Sequence, residues 1–205
     1  MLLDDDALER SSVVANSAMN RDRALAGYDR ELGLDIVAAA PARWLDLCCG
    51  SGRALLEAAP LLPRTRIVGV DLVDHFVTAA RPPHLSLVTA SLTTWTPDAP
   101  FDLITCVHGL HYIGDKLALL TRAASWLTET GTFAASFHAG GVKAPGRFGT
   151  VLREQGFEYD TRRRRVSLAG RRDVAFPYRY LGADDRSGPN YTGQPAVTSH
   201  YARRA

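Results

Sequence analysis

The stretch Leu45-Asp46-Leu47-Cys48-Cys49-Gly50-Ser51-Gly52-Arg53 carries the strongest structural signal in this 205-residue chain. It closes an apolar run over residues 43–48 and opens a helical pattern over residues 52–59. Two glycines in G-x-G spacing at a strand-to-helix turn let the backbone approach a ligand closely. The start of the following helix favours a negative group there. The stretch therefore predicts a ligand-binding turn, and the alternative is a tight turn without a ligand.

An acidic residue follows at the tip of the second predicted strand. Twenty-one residues after Gly50 the chain reads Gly69-Val70-Asp71-Leu72. A carboxylate at this place in an α/β unit accepts the hydrogen bonds of a ribose diol. Strand, turn, helix, strand and acid occur in register, so we predict a ligand that carries a ribose.

A dinucleotide is one such ligand, but two residues speak against it. Its G-x-G-x-x-G turn needs a third glycine where Leu55 stands. Asp46, just before the turn, would face a pyrophosphate unfavourably and suits a cationic group such as an ammonium or a sulfonium. A nicotinamide oxidoreductase therefore stays open only as a rival interpretation.

Short apolar runs and helical stretches alternate through the middle of the chain. The apolar runs are residues 43–48, 66–70, 85–89, 103–107 and 132–137, and the helical stretches are 52–59, 74–80 and 116–128. Unbroken apolar runs are typical of parallel strands covered on both faces. The alternation predicts a doubly wound α/β sheet that binds ligands at the carboxyl ends of its strands.

The two ends of the chain have different patterns. Residues 5–16 and 21–40 are predicted as helices joined around residues 16–20, whereas residues 158–168 and 174–181 are predicted as a hairpin around Ala169-Gly170-Arg171-Arg172, with an ordered loop at best over 182–205. We expect a single domain with a helical lid (1–40), a cofactor-binding core (41–140) and a β-rich C-terminal part (141–205).

The composition excludes several classes of protein. A hydrophobic content of 46% and a net charge of +2 argue against disorder and against a polyanion-coating protein. No run of 18 apolar residues and no signal-peptide pattern occurs, so we expect neither a membrane span nor a leader. Three cysteines, two of them adjacent, fit neither a disulfide framework nor C-x-x-C zinc ligation, which predicts a reducing cytoplasm and no metal.

Twenty-two arginines against two lysines indicate a GC-rich, bacterial genome.

The glycine turn resembles motif I of the class I S-adenosylmethionine-dependent methyltransferases, an acid followed by G-x-G-x-G. Cys48 at the first glycine position is similar to small-molecule members that resemble the ubiquinone and menaquinone biosynthesis enzymes. Phe101-Asp102-Leu103-Ile104-Thr105-Cys106 with Leu110-His111-Tyr112-Ile113 resembles the fourth-strand motif, and Trp126-Leu127 with Gly131 resembles the passage into the fifth strand. The resemblance covers roughly residues 40–140. It implies a seven-stranded, mostly parallel Rossmann-like sheet with an antiparallel C-terminal hairpin and an N-terminal helical lid, and S-adenosylmethionine as cofactor, with S-adenosylhomocysteine as product.

The resemblance also implies which residues hold the cofactor. The turn and second-strand residues are Asp46, Cys48, Gly50 and Gly52 for the methionyl part and Asp71 with Leu72 for the ribose. The remaining core residues are Ser91 and Leu92 at the adenine and Val107 after the fourth strand. In the lid, Arg23 and Tyr28, then Arg21 and Asn20, would meet the methionine carboxylate; an ordinary amphipathic helix with exposed arginines is the alternative.

One position departs from the family pattern. The tip of the third strand usually carries an acid that holds the adenine amino group, and Ser91 stands there instead. A neutral hydrogen bond is roughly half as strong as a charge-assisted one. Adenine recognition is therefore looser in this chain, or another residue contributes to it.

Three histidines are the candidate general bases. His108 and His111 follow the fourth strand, and His138 follows the fifth beside two glycines. His111 matches the family's motif histidine, which is commonly structural, and a surface imidazole is the alternative for His108. Methyl transfer needs such a base only when the acceptor atom carries a proton.

Candidate substrate contacts are Tyr112, Tyr178 and Tyr191. The last two lie in a tyrosine-rich tail, which we expect to fold back over the crevice. The run Arg162-Arg163-Arg164-Arg165 fits either a solvated hairpin edge or an acidic partner, whereas the lack of an aromatic platform argues against nucleic acid.

The sequence as a whole predicts a methyltransferase that acts on oxygen or nitrogen of a small metabolite or a short peptide-like natural product. A protein that binds S-adenosylmethionine without transferring methyl, such as a cyclase, is the second interpretation. Neither the acceptor nor the oligomeric state follows from the sequence.

Overall fold

The apolar runs of the middle segment form the strands of one large sheet. A computed structural model describes residues 2–15 and 23–204. In chain order the described strands are β1 (Arg43–Leu47), β2 (Arg66–Asp71), β3 (Leu85–Thr89), β4 (Phe101–Cys106), β5 (Leu127–Ser136), β6 (Val142–Lys143), β7 (Glu158–Asp160), β8 (Arg165–Ala169), β9 (Tyr178–Asp184) and β10 (Thr198–Arg203). All five predicted parallel strands are present, with ends that differ from the predicted ones by at most five residues.

The large sheet has seven strands in the order β3-β2-β1-β4-β5-β8-β7. Strands β1 to β5 run parallel, while β8 runs antiparallel to both β5 and β7. This topology confirms the predicted Rossmann-like sheet with its antiparallel C-terminal hairpin. A second sheet has the order β6-β10-β9.

The helices cover both faces of the large sheet. They are α1 (Asp5–Glu9), α2 (Leu25–Leu32), α3 (Ile36–Ala39), α4 (Arg53–Ala58), α5 (Lys116–Ser125) and α6 (Phe148–Glu154). Helices α2, α3 and α4 pack around Trp44 on one face, and α5 and α6 pack around Leu45 and Leu47 on the other, because neighbouring side chains of β1 point to opposite faces. None of the described helices has the length and apolar character needed to cross a membrane.

The predicted helix over residues 74–80 is wrong, since the chain between β2 and β3 is irregular. The Val77 N–H donates to the carbonyl of Ser51 at 2.9 Å, and Phe76 packs on the helix-covered face beside α4. Pro82 and Pro83 follow the segment and could not continue a helix. Most of residues 74–80 are exposed, and only Phe76 is partly buried, so the segment lacks the continuous buried face that would hold a helix on the sheet.

The N-terminal helices are shorter than predicted. Helix α1 ends at Glu9, and the single helix predicted over 21–40 is divided into α2 and α3 by Gly33, whose φ is 65°. A Cβ at Gly33 would overlap the guanidinium of Arg165, which donates to the Leu32 carbonyl. The predicted joint at 16–20 and the candidates Asn20 and Arg21 lie outside the described residues.

The antiparallel hairpin is present as β7 and β8, but the predicted pairing of residues 158–168 with 174–181 is wrong. Arg162, Arg163 and Arg164 form the turn between β7 and β8, where the Asp160 carboxylate accepts from the N–H groups of Arg162 and Arg163. Strand β9 pairs instead with β10, which lies in the tail predicted to be a loop. The hairpin therefore turns after Asp160, between β7 and β8, and not at residues 169–172 as the sequence pattern predicts.

Candidate functional site

The glycine turn after β1 has a left-handed backbone at three positions. The φ angles are 56° at Cys48, 59° at Gly50 and 74° at Gly52. Glycine adopts this region without cost, whereas a residue with a Cβ adopts it at a cost of roughly 1 kcal/mol. The resemblance implied a glycine where Cys48 stands, and the positive φ gives the physical reason. Gly52 also packs so closely on Leu87 that a Cβ there would lie 2.7 Å from its Cδ1.

Asp71 is fixed directly opposite this turn. Its Oδ2 accepts from the Gly50 N–H at 2.8 Å, and its Oδ1 accepts from the Val73 N–H at 3.2 Å. A carboxylate oxygen carries two lone pairs and can accept more than one hydrogen bond. The tip of β2 therefore holds a pre-positioned acceptor pair, which is the group that a ribose diol needs.

A cavity of about 200 Å³ opens at the carboxyl ends of β1 to β4. Nine of the predicted site residues line it, namely Arg23, Cys48, Gly50, Asp71, Leu72, Leu92, Val107, His108 and Tyr112. Other residues of its wall were not predicted, among them Asp5, Leu8, Glu9, Thr93, Gly109, Asp115 and Arg122.

The wall of the cavity depends on a close contact between the turn and the segment after β4. A Cβ built on Gly109 would lie 2.3 Å from the Cβ of Cys48 and 2.8 Å from the Cys106 sulfur. Only glycine fits at this crossing. No pattern around residue 109 signals this contact, because Cys48 is more than sixty residues away in the sequence.

Asp46 and Tyr28 lie beneath the turn and not among the lining residues. The Tyr28 hydroxyl donates to Asp46 at 2.7 Å, and the Thr105 hydroxyl donates to the same carboxylate at 2.6 Å. Thr105 in turn accepts from the Trp44 indole at 2.8 Å. Burial raises the pKa of Asp46 to about 7, against the lowering effect of the two hydroxyl donors. This hydrogen-bonded group supports the turn from below.

Ser91 lies at the end of β3, but its hydroxyl is already engaged. Its Oγ donates to Oε1 of Glu9 at 2.6 Å, accepts from the Thr93 N–H at 3.0 Å and lies 2.6 Å from the Thr93 hydroxyl. Glu9 belongs to α1 and lines the cavity. The carboxylate that the third-strand tip lacks is thus present in space, supplied by the N-terminal segment.

Arg122 holds the segment after β3 in place. Its guanidinium donates to the carbonyl oxygens of Leu92 and Trp95 and lies 4.9 Å from the ring centroid of Trp126. One side chain of α5 thereby fixes the backbone of residues 92–95, of which Leu92 and Thr93 line the cavity.

The three candidate histidines meet around Tyr191, which the tail carries back over the carboxyl ends of β4 and β5. The Tyr191 ring centroid lies 6.1 Å from that of His108, 5.5 Å from that of His111 and 5.6 Å from that of His138. The Arg164 guanidinium lies 4.1 Å above the same tyrosine ring. We call these five residues the histidine–tyrosine cluster.

Burial favours the neutral form of each imidazole in the cluster. Burial, followed by the positive charge of Arg23, lowers the pKa of His108 to about 4. Burial lowers the pKa of His111 to about 3, and burial also lowers the pKa of His138. Nε2 of His108 lies 3.5 Å from the Glu31 carboxylate, and its Nδ1 lies 3.4 Å from the Tyr191 hydroxyl. Nε2 of His111 is buried without a hydrogen-bond partner among the described residues.

Tyr178, the remaining predicted substrate contact, lies elsewhere. It is buried in the second sheet, donates to the Pro145 carbonyl at 2.8 Å and packs beside Tyr201. The sequence does not distinguish Tyr178 from Tyr191. Tyr178 is buried because β9, to which it belongs, pairs with β10.

Known proteins with similar sequences belong to the same class as this site indicates. The profile of a family described as "Methyltransferase domain" matches residues 19–167. A trans-aconitate 2-methyltransferase of Streptomyces coelicolor is 31% identical over 63% of this chain and 44% of its own length. A demethylmenaquinone methyltransferase of Deinococcus radiodurans is 30% identical over 62% of this chain and 55% of its own length. An amino pentose methyltransferase of calicheamicin biosynthesis from Micromonospora echinaspora, solved with S-adenosylmethionine, is 24% identical, covers 57% of this chain and 52% of its own, and has a TM-score of 0.45.

The chain belongs to the methyltransferase domain family, because the family match covers most of its length. This membership confirms the class predicted from the glycine turn and, with it, S-adenosylmethionine as the cofactor of that class. The chain spans about half the length of the curated relatives it matches.

Proposed function

We propose that this chain transfers methyl from S-adenosylmethionine to an oxygen or nitrogen atom of a small metabolite or a short peptide-like natural product. The observation that carries the proposal is the contact between the Asp71 carboxylate and the Gly50 N–H at the mouth of the cavity. It joins an acceptor pair for a ribose to a left-handed turn that exposes backbone to a ligand. We further propose that the chain works as a single domain in a reducing cytoplasm, in keeping with its three free thiols.

The residues of the cavity fit the cofactor. Asp71 would accept from the ribose hydroxyl groups, and the turn at Cys48 and Gly50 would hold the methionyl part. Leu92 and Val107 offer apolar contact to a base. Arg23, which also lines the cavity, would meet the carboxylate of the methionyl part. When bound, S-adenosylmethionine supplies an activated methyl group on a sulfonium.

The acceptor would approach past the histidine–tyrosine cluster. With the hydrogen of its neutral imidazole on Nε2, facing Glu31, His108 would keep Nδ1 as the acceptor of a proton. His111 and His138 would line the same approach, and the names of the two curated relatives support an acceptor of small size. Arg164 adds positive charge at the cluster, which would favour an acceptor that carries a carboxylate.

Isothermal titration calorimetry tests the cofactor part of this proposal. S-adenosylhomocysteine is expected to bind the purified chain, and NADH is not. Asp71→Asn keeps the size of the side chain but removes the charge that strengthens its bonds to hydroxyl groups, so we expect binding about 10- to 100-fold weaker. Asp74→Asn, at an exposed position three residues away, is the matched control and should bind as the wild type does. Binding of NADH in place of S-adenosylhomocysteine would contradict the proposal.

A methyl-transfer assay tests the catalytic part. The chain is mixed with methyl-labelled S-adenosylmethionine and a panel containing carboxylic acids, hydroquinones, amino sugars and short peptides. Label on an acceptor together with an equal amount of S-adenosylhomocysteine supports methyl transfer. Conversion of an added acceptor without transfer of label would instead support a non-methylating enzyme that only binds the cofactor.

A further inference from the structure

The N-terminal segment, which contributes to the cavity wall, is held in place by contacts with the C-terminal part of the chain. Leu3 forms an antiparallel bridge with Ala183 of β9, with N–O distances of 2.8 and 2.9 Å. Leu8 is 1% exposed and packs against Ala183 and Val197, and the Tyr180 hydroxyl donates to Asp5 at 3.1 Å. The second sheet therefore fixes where α1 lies, and with it the position of Glu9.

Glu9 lies at the end of the cavity where the base of a nucleoside would lie. Asp71 lies at the tip of β2, and β3 is the adjacent strand of the sheet. A base joined to a ribose at Asp71 extends past β2 to the end of β3, where Ala90, Leu92 and Thr93 line the cavity. Glu9 lies at this same end, because its Oε1 accepts from Ser91 at 2.6 Å.

Ser91 and Glu9 are the two candidate hydrogen-bond acceptors for the base at the end of β3, and their existing hydrogen bonds decide between them. The Ser91 hydroxyl gives its hydrogen to Glu9, accepts from the Thr93 N–H and lies beside the Thr93 hydroxyl, so its lone pairs are engaged. Glu9 has a second oxygen, Oε2, for which the described residues provide no hydrogen-bond partner. A carboxylate is an acceptor only, and its complement on a base is an exocyclic amino group.

We propose that Glu9 is the specificity-determining residue for the base, and that its carboxylate accepts a hydrogen bond from the 6-amino group of the adenine of S-adenosylmethionine. Ser91 is then a positioning residue that holds Glu9 from β3. This inference rests on the proposed function, since it requires S-adenosylmethionine or its product in the cavity. The lid thus takes part in recognising the cofactor as well as covering it.

Calorimetry with two ligands tests this assignment. One ligand is S-adenosylhomocysteine, and the other is its analogue with hydrogen in place of the 6-amino group. In the wild type we expect the analogue to bind about 10- to 100-fold more weakly, as for a hydrogen bond to a charged group. Glu9→Gln should reduce this ratio to about fivefold because its bond is neutral, and Glu9→Ala should bring it close to one.

The control and the positioning residue complete the experiment. Asp6→Asn, on the exposed side of the same helix, should keep the wild-type ratio. Ser91→Ala should lower the ratio less than Glu9→Ala, because Glu9 remains but is less well held. An unchanged ratio in both Glu9 variants would overturn the assignment, whereas a wild type that binds neither ligand would overturn the proposed function itself.

Discussion

The hydroxyl of Tyr28 donates a 2.7 Å hydrogen bond to Asp46, whose carboxylate is completely buried beneath the turn at Cys48. Tyr28 comes from α2 and Asp46 from β1, so the bond ties a helix of the N-terminal segment to the central strand. Thr105 of β4 completes the group from the other side. Asp46 thereby supports the glycine turn indirectly, by linking α2 and β4 to the strand that leads into it.

Asp46 gives the stability of the protein a defined pH dependence. Burial raises the pKa of Asp46 to about 7 from an ordinary value of 3.8, so between these values the folded chain keeps a proton that the unfolded chain releases. The free energy of unfolding contributed by this group therefore falls as the pH rises through that window and is constant above it. Asp46→Asn should remove this contribution, which urea unfolding at a series of pH values measures.

The difference between wild type and variant is the relevant quantity, because His108 and His111 titrate in the opposite sense. Their lowered pKa values stabilise the folded chain increasingly as the pH rises toward their ordinary range. Asp74→Asn, which removes a carboxylate at an exposed position, is the matched control. A wild-type minus Asp46→Asn difference that is flat between pH 4 and 7 would show that Asp46 does not titrate there.

Gly109→Ala tests the contact that shapes the cavity. The new Cβ would lie 2.3 Å from that of Cys48, so we expect a loss of about 1–3 kcal/mol in the free energy of unfolding and weaker binding of S-adenosylhomocysteine. Gly27→Ala in α2 has no heavy atom within 4 Å of its new Cβ and should instead stabilise the chain by roughly 0.5–1 kcal/mol.

The double variant Cys48→Gly with Gly109→Ala isolates the pair. Removing the Cys48 side chain takes away the nearest of the atoms that the alanine would meet, while the Cys106 sulfur at 2.8 Å remains. Cys48→Gly should therefore restore part of the stability that Gly109→Ala loses. A change in the free energy of unfolding of the double variant that equals the sum of the two single-variant changes would contradict a direct contact.

Arg23→Gln tests the electrostatics of the histidine–tyrosine cluster. The positive charge of Arg23 contributes to lowering the pKa of His108, so its removal should raise that pKa toward the ordinary histidine value. Imidazole resonances followed by NMR against pH measure the change, and Arg10→Gln, an exposed arginine at the end of α1, is the control. A pKa of His108 that falls or stays constant in Arg23→Gln would contradict the proximity of the Arg23 charge to His108.

The sequence predicts the parallel strands and the turn because their signals are local. Each strand is an unbroken apolar run, and Gly50, Gly52 and Asp71 stand at fixed distances along one β-α-β unit. The helix predicted over 74–80 is absent because the Val77 N–H donates to the Ser51 carbonyl instead of to a carbonyl of its own segment, a long-range bond that no periodicity reveals. The partner of β9 could not be predicted either, since β10 follows an irregular segment of more than ten residues.

Glu9 shows why part of the site lay beyond sequence reasoning. It meets Ser91 across 82 positions of the chain, and it reaches that place through the bridge between Leu3 and Ala183. The missing acid at Ser91 indicated that another residue could contribute, but only the packing of α1 on the second sheet identifies it. Tyr191 was predicted from the composition of the tail, while Tyr178 shares that composition and lies in a different environment.

Mapping the binding of S-adenosylhomocysteine by ¹H–¹⁵N NMR tests the central claim most directly. We expect the largest chemical-shift changes at the amides of Gly50, Leu92 and Val107, which line the cavity at the ends of β1, β3 and β4. The amides of β7, at the opposite edge of the sheet, should remain unchanged. Saturable shifts confined to β7 and β8, with Gly50 and Leu92 unmoved, would contradict the assignment of this cavity as the cofactor site.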